Sequence, residues 1–367
     1  MLRLGRFGVV VGSFLAATAA AGFAVRWTIQ RRLLLAASAA RRKTFGVLFS
    51  PTLCSLCDAF ATQGFSVRVV GGACRDLLLG QTPTGLDLVT DCPPGVLRQV
   101  CEWSSFSCKL VQSGTDGSTG TTMVVWVHPE DPAEPISKFE LTVLREFDRC
   151  SRIAQRKSRK ELSVERWVAD ASQRDFTMNA IFVAPNGETI DSFGGEEDIA
   201  QRRVVWIGSV AERMAESPER ALRYFRFHGE FVRLFGRAAA EHDGLVLAEM
   251  GAHAGLLRAV PAGVAWKLLK QTVCSCAHAV AKEIAVMAAH GLLGPLLPSS
   301  VAVSACDFAA ADAVRLQQEA ASELGVPIEP VLSIVVLLRC DAAAVAAVSR
   351  HWCSLHAVLC PPCIGWV

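Results

Sequence analysis

The chain has 367 residues, and its 37 Lys and Arg nearly balance 35 Asp and Glu, for a formal net charge of +2. That balance excludes a protein that coats nucleic acid by overall charge, so any basic surface must be local. The length leaves room for two or three domains. Fourteen cysteines follow no regular framework and read as reduced thiols rather than disulfides. Cys353, His356, Cys360 and Cys363 have donor types that suit zinc. Their spacing fits no standard zinc module, and thiols packed in a terminal helix and turn are the competing reading.

Residues 1–57 contain no acidic residue, while Arg3, Arg6, Arg26, Arg31, Arg32, Arg41, Arg42 and Lys43 punctuate an Ala/Ser/Leu-rich stretch. Such a start reads as an organellar transit peptide. The rival is a membrane anchor: Phe7 to Val25 is an apolar or small-residue run flanked by Arg, just long enough to span a bilayer. Leu53 to Phe65 is predicted helical, stopping at Gly64. A β-branched strand, Val67 to Val70, follows and ends at Gly71-Gly72. Ala73 to Leu79 is a compact helix stopped by Gly80, and a polar turn, Gln81 to Gly85, leads into a strand, Leu86 to Thr90, with one carboxylate, Asp87. Paired glycines let backbone N–H groups approach an anion, and a helix start favours negative charge. The layout is that of a phosphate-handling site.

Pro93-Pro94 precedes a helix from about Val96 to Trp103, then strands at Lys109–Val111 and Met123–Val127, separated by a Gly/Ser/Thr turn. The Pro/Asp/Glu loop from His128 to Pro135 predicts a hairpin with the next strand, Lys138 to Arg145. There Phe139, Leu141 and Val143 point one way, and Glu140, Thr142 and Leu144 the other. Glu146 to Asp170 is polar and basic, read either as a solvated loop or as one that contacts phosphate. Gln173 to Ala180 reads QRDFTMNA, with Asp175 able to cap a helix start. Arg offers a forked donor for phosphate there, and Asp or Asn can bond a ribose hydroxyl. A short hairpin is predicted around Pro185-Asn186-Gly187.

Glu216 to Phe227, ESPERALRYFRF, is predicted to be a helix with Ser217 as N-cap and Pro218 at its first position. Leu222, Phe225 and Val232 give its buried face. Arg220, Arg223 and Arg226 share about a third of its circumference. Simple amphipathicity would also place them so. Beyond Arg233 the chain reads as helices, including Gly251–Val273 and Ala277–Leu297. The histidines scattered there, His228, His242, His253, His278 and His290, read as packed or surface residues.

Three of these stretches, in order, resemble the class II family of tRNA CCA-adding enzymes and bacterial-type poly(A) polymerases. Gly71, Gly72, Arg75, Asp76, Gly80 and Asp87 match the family's Gly-Gly-x-x-Arg-Asp and Asp-x-Asp head signature, except that Gly85 stands in place of the first Asp. Arg174, Asp175 and Asn179 match the element that holds sugar and triphosphate, with Gln173 replacing an Arg. Glu216, Arg220, Arg223 and Arg226 match the arginines and base-reading motif, Glu-Asp-x-x-Arg, with Ser217 replacing its Asp. The basic loop lacks the family's Asp-Gly-Arg.

The resemblance implies an α+β fold: a nucleotidyltransferase (polymerase β-like) head with a mixed sheet, then an all-helical neck and body. The implied division is a targeting peptide or anchor over 1–45, head over 46–200, neck over 201–300 and a short helical body over 301–367. It implies transfer of CMP or AMP from CTP or ATP to an RNA 3′ end, in tRNA CCA addition or A-tailing. Asp87 and Glu140 become the catalytic, Mg²⁺-holding carboxylates. Nucleotide binding falls to Gly71, Gly72, Arg75, Arg174, Asp175, Asn179, Glu216, Arg220, Arg223 and Arg226. The expected location is a mitochondrion or other organelle, or a membrane if residues 7–25 are an anchor. The alternative is a weakened or inactive relative that acts by binding RNA or in assembly, because Gly85 contributes no ligand.

Overall fold

The computed structural model describes residues 41–113, 120–128, 136–144, 159–236, 241–275 and 280–297. Residues 1–40 of the expected targeting or anchor segment, the 301–367 body, and the Cys353, His356, Cys360, Cys363 set lie outside these residues, while residues 41–45 are helical and Phe45 is buried. Among the described residues, no single helix is long and apolar enough to cross a membrane. The chain divides into two compact units, residues 1–171 with 179–192, and 172–178 with 193–367.

The first unit is a seven-stranded mixed sheet, spatial order β3-β4-β5-β2-β1-β6-β7. Its strands are β1 (Val67–Val70), β2 (Asp87–Thr90), β3 (Ser107–Ser113), β4 (Gly120–Val127), β5 (Ser137–Val143), β6 (Phe182–Val183) and β7 (Thr189–Ile190). All neighbours are antiparallel except β2 and β5, which run parallel with Leu88 opposite Leu141 and Thr90 opposite Val143. The β4–β5 hairpin forms as its turn chemistry predicts. Period-two alternation sends Val67, Val69, Leu88, Met123, Val125, Phe139 and Leu141 to one face, and all of them are buried.

Helices α1 (Pro51–Thr62) and α3 (Pro94–Trp103) cover that face with Leu53, Leu56, Phe60, Leu97 and Val100. The α1 start is local chemistry: Pro51 sits at its first position and the Ser50 hydroxyl accepts from the Leu53 N–H at 3.2 Å. Helix α2 (Gly72–Leu78) begins after Gly71, whose φ of +75° only glycine adopts freely.

The stretch expected as a basic loop is not one throughout. Residues Arg159–Ser172 form helix α4. Its polar composition hid a single buried edge: Trp167 and Ala171 are 1% and 0% exposed, and the Trp167 ring meets Phe182 edge-on at 5.1 Å. One large aromatic side chain buries enough apolar area to anchor an otherwise polar helix.

The second unit is helical: α5 (Gly195–Ala200), α6 (Val210–Glu216), α7 (Arg220–Phe235), α8 (Gly244–Ala252), α9 (Ala262–Ser275) and α10 (Val280–Ala289). Ser217 is not the N-cap of α7. It ends α6, its hydroxyl donates to Glu219, and α7 starts at Arg220 after a Pro218-Glu219 turn. The continuous helices expected over Gly251–Val273 and Ala277–Leu297 are broken. Pro261 starts α9 afresh after a 3₁₀ segment, and Gly291, at φ +70°, closes the end of α10.

Candidate active site

On β2 and β5 the register decides the geometry. Asp87 precedes Leu88, and Glu140 precedes its partner Leu141, so the two carboxylates occupy neighbouring positions on parallel strands. Both side chains point to the face opposite Leu88 and Leu141, and both residues are exposed. Adjacent strands lie about 4.8 Å apart, within reach of a shared cation. In the structure Glu140 is held by Lys138, Nζ to Oε1 at 3.0 Å. A pair of exposed charges of this kind contributes little and exchanges readily. The donor set suits Mg²⁺, which takes one or two carboxylates and completes its octahedron with water and phosphate oxygens.

Gly85 lies two residues before Asp87 in an exposed turn, and a Cβ placed on it would meet nothing within 4 Å. The turn lines a cleft of about 650 Å³ together with Leu48, Leu77, Gln81 and Thr84. Asp91 is excluded as a replacement ligand because its carboxylate accepts from the Ser66 N–H at 2.6 Å in a buried position.

Arg75 is buried beneath the Gly71-Gly72 turn. Its guanidinium donates to the Asn179 Oδ1 at 2.9 Å and to the Asp76 Oδ1 at 2.6 Å. The first unit thus joins two motifs 104 residues apart in the chain. Arg68, which carried no signal in the sequence, is also buried. It lies over the Trp167 ring, 5.5 Å from its centroid, and donates to the Glu188 carbonyl at 3.2 Å. Burial lowers its pKa, with Glu188 opposing.

In the second unit Asp175 is 4% exposed. Arg223 pairs with its Oδ2 at 2.8 Å. Backbone bonds from Ile207 to the Asp175 carbonyl and from Thr177 to the Val205 carbonyl pin the segment, and Phe176 packs against Trp206 at 4.9 Å and Phe227 at 5.7 Å. Arg174 is half-buried.

Glu216 accepts from Arg220 at 2.6 Å and Arg213 at 2.8 Å. Partial burial raises its pKa, but those two arginines outweigh it and hold the carboxyl below the ordinary glutamate range. Arg213 went unnoticed in the sequence, yet it also donates to the Ile207 and Ser172 carbonyls. Arg226 donates to the Gln271 Oε1 at 3.3 Å and lies over Phe227. Arg220 and Arg226 therefore also serve the packing of their own unit.

A mixed sheet that presents two carboxylates on adjacent parallel strands, behind a glycine turn and a short helix, defines a nucleotidyltransferase head fold. Residues 67–205 match the poly A polymerase head domain family. The chain is 32% identical over 201 residues to the mitochondrial CCA tRNA nucleotidyltransferase 1 of Danio rerio, covering 55% of this chain and 42% of that protein. With the Homo sapiens enzyme of the same name it shares 30% over 227 residues, 62% of this chain and 48% of that one. It thus spans less than half the length of these relatives. A CCA-adding enzyme solved with CTP superposes with a TM-score of 0.59 at 18% identity, covering 84% of this chain and 67% of the other, which shows the fold. Over its head region the chain is thus similar to poly A polymerase head domains and to CCA tRNA nucleotidyltransferases.

Proposed function

We propose that the protein is an RNA nucleotidyltransferase that transfers CMP or AMP from CTP or ATP to an RNA 3′-hydroxyl, with tRNA as substrate. The observation that supports this most is that Asp87 and Glu140, each one residue before the paired Leu88 and Leu141, stand exposed on the same side of the β2–β5 ladder. Those two carboxylates would hold Mg²⁺, which when bound polarises phosphate oxygens and lowers the pKa of a coordinated hydroxyl. Gly71 and Gly72 let the chain pass close to a triphosphate without side-chain obstruction. Arg75 and Asn179 keep that turn in place through their mutual hydrogen bond. Nucleotide recognition is assigned in the second unit to Arg174, Asp175, Glu216, Arg220, Arg223 and Arg226. Ser217 keeps a hydroxyl where the resemblance calls for a carboxylate, so base preference need not follow the family.

The names of the similar Danio rerio and Homo sapiens proteins, and the acid-free, Arg-bearing N-terminal stretch, both favour a mitochondrial location. The test is incorporation of labelled CTP and ATP into tRNA lacking its 3′ CCA, with Asp87→Ala and Glu140→Ala alongside. Incorporation by the natural protein, lost in both variants, is expected. Activity that survives Asp87→Ala would remove the site assignment. The second reading, a silent relative that binds RNA, is favoured by Gly85 alone. It predicts tRNA binding with no incorporation.

A further inference from the structure

Away from the candidate active site, the second unit buries His228 on α7 and Glu283 on α10, with the half-buried His242 just before α8 beside them. The His228 Nδ1 lies 2.8 Å from one carboxylate oxygen of Glu283, and the His242 Nε2 lies 3.3 Å from the other. Exposure of the three side chains is 1%, 6% and 0%. One donor atom from each residue falls within 4.8 Å of the other two. The α7 backbone passes close by at Gly229, whose added Cβ would stand 3.7 Å from the Glu283 Cγ.

The two imidazole rings stack 3.6 Å apart beside the carboxylate. A carboxylate in so dry a place is costly unless it is matched. The His228 Nε2, also buried, has no hydrogen-bond partner in the structure. A divalent cation replaces shared protons with a matching positive charge.

We propose that His228, His242 and Glu283 bind a divalent transition-metal ion, zinc by donor type, that ties α7, α10 and the start of α8 together. Two imidazoles and one carboxylate are a common zinc donor set, with ligand distances near 2.0–2.2 Å and one position left open. Closing onto the ion requires the two rings, which stack 3.6 Å apart at 15°, to turn out of parallel so that one nitrogen of each points at it. The Tyr224 hydroxyl, 3.3 Å from the His242 Nδ1, is placed to orient that ring from behind. The site is independent of the nucleotidyl-transfer reading, since none of its residues belongs to that machinery.

The test uses the full-length protein stripped with a chelator and titrated with zinc alone by calorimetry, then with cobalt(II) followed by visible absorption. A d–d band without a thiolate-to-cobalt charge-transfer band is expected, because histidine and glutamate ligands lack the sulfur transition that marks cysteine sites. His242→Gln should lower affinity by at least tenfold, and Tyr224→Phe by about tenfold. Zinc should raise the melting temperature of the natural protein and not that of His242→Gln. Cobalt bound only with the thiolate band, or equal zinc affinity in the natural protein and His242→Gln, overturns the proposal. The cobalt spectrum of the natural protein decides the question even if a variant fails to fold.

Discussion

Gly85→Asp supplies the carboxylate that the family resemblance places two residues before Asp87, and its consequences separate into stability and rate. The added side chain meets nothing within 4 Å, the backbone there is not left-handed, and the turn is exposed. Replacing glycine at such a compatible position stabilises by about 0.4–1 kcal/mol through the unfolded chain. Against this, the new carboxylate stands about 7 Å from Asp87. In water that costs about 0.6 kcal/mol without metal and is screened by salt. The two nearly cancel, so urea denaturation in chelator should detect a change within about 0.5 kcal/mol. The rate should respond far more. A shared ligand to catalytic Mg²⁺ contributes several kcal/mol to charge stabilisation in the transition state, or about two to three orders of magnitude. Single-turnover incorporation of labelled CMP into tRNA lacking CCA measures it. If Gly85→Asp folds normally and incorporation does not rise at least tenfold, the reasoning that places the metal on β2 and β5 is refuted.

Arg75→Met should destabilise the protein by about 2–4 kcal/mol, because it removes the buried hydrogen bond to Asn179 and the ion pair with the half-buried Asp76. A loss under 1 kcal/mol in urea denaturation would mean Arg75 is not a structural strut. Trp167→Ala should cost about 3–5 kcal/mol, since its ring is fully buried against Phe182 and beneath Arg68; hydrogen exchange should show α4 losing protection first. Burial pushes the Cys57, Cys92 and Cys101 thiols up to about 12, so only about one part in 10⁴ is thiolate at pH 8. Brief alkylation of native protein, read by mass spectrometry, should spare all three.

Glu216 has a folded pKa below its unfolded value, so its stabilising contribution is present above the ordinary glutamate range and fades as pH falls through the folded value. Glu216→Gln should flatten the acid limb of the stability profile in that window and leave the slope near neutrality unchanged. An identical acid limb in both proteins would show that the clasp with Arg213 and Arg220 contributes nothing.

Much of the head was legible because its signals are local. Short β-branched and apolar runs, with alternation in Lys138–Arg145, told strand from helix, and the glycine and proline punctuation marked their ends. Alternation also told which side of the β5 strand Glu140 takes. Two errors shared one cause. The α4 segment was read from its average polarity, though one buried tryptophan sufficed to fold it. The ESPER stretch was read as one helix because Ser-Pro is a good helix start, though here Ser217 closes the helix before it.

By itself the sequence determined the strand–glycine–helix–strand unit and the single carboxylate of β2, since these depend on residues within a few positions of one another. Only the tertiary structure decided which partners the charges take. Arg75 meets Asn179 across 104 residues, His228 meets Glu283 across 55, and Arg213 reaches back to Ser172 across 41. No periodicity reports such pairings. They arise when packing removes water from a charge and leaves a distant segment as the nearest group able to satisfy it.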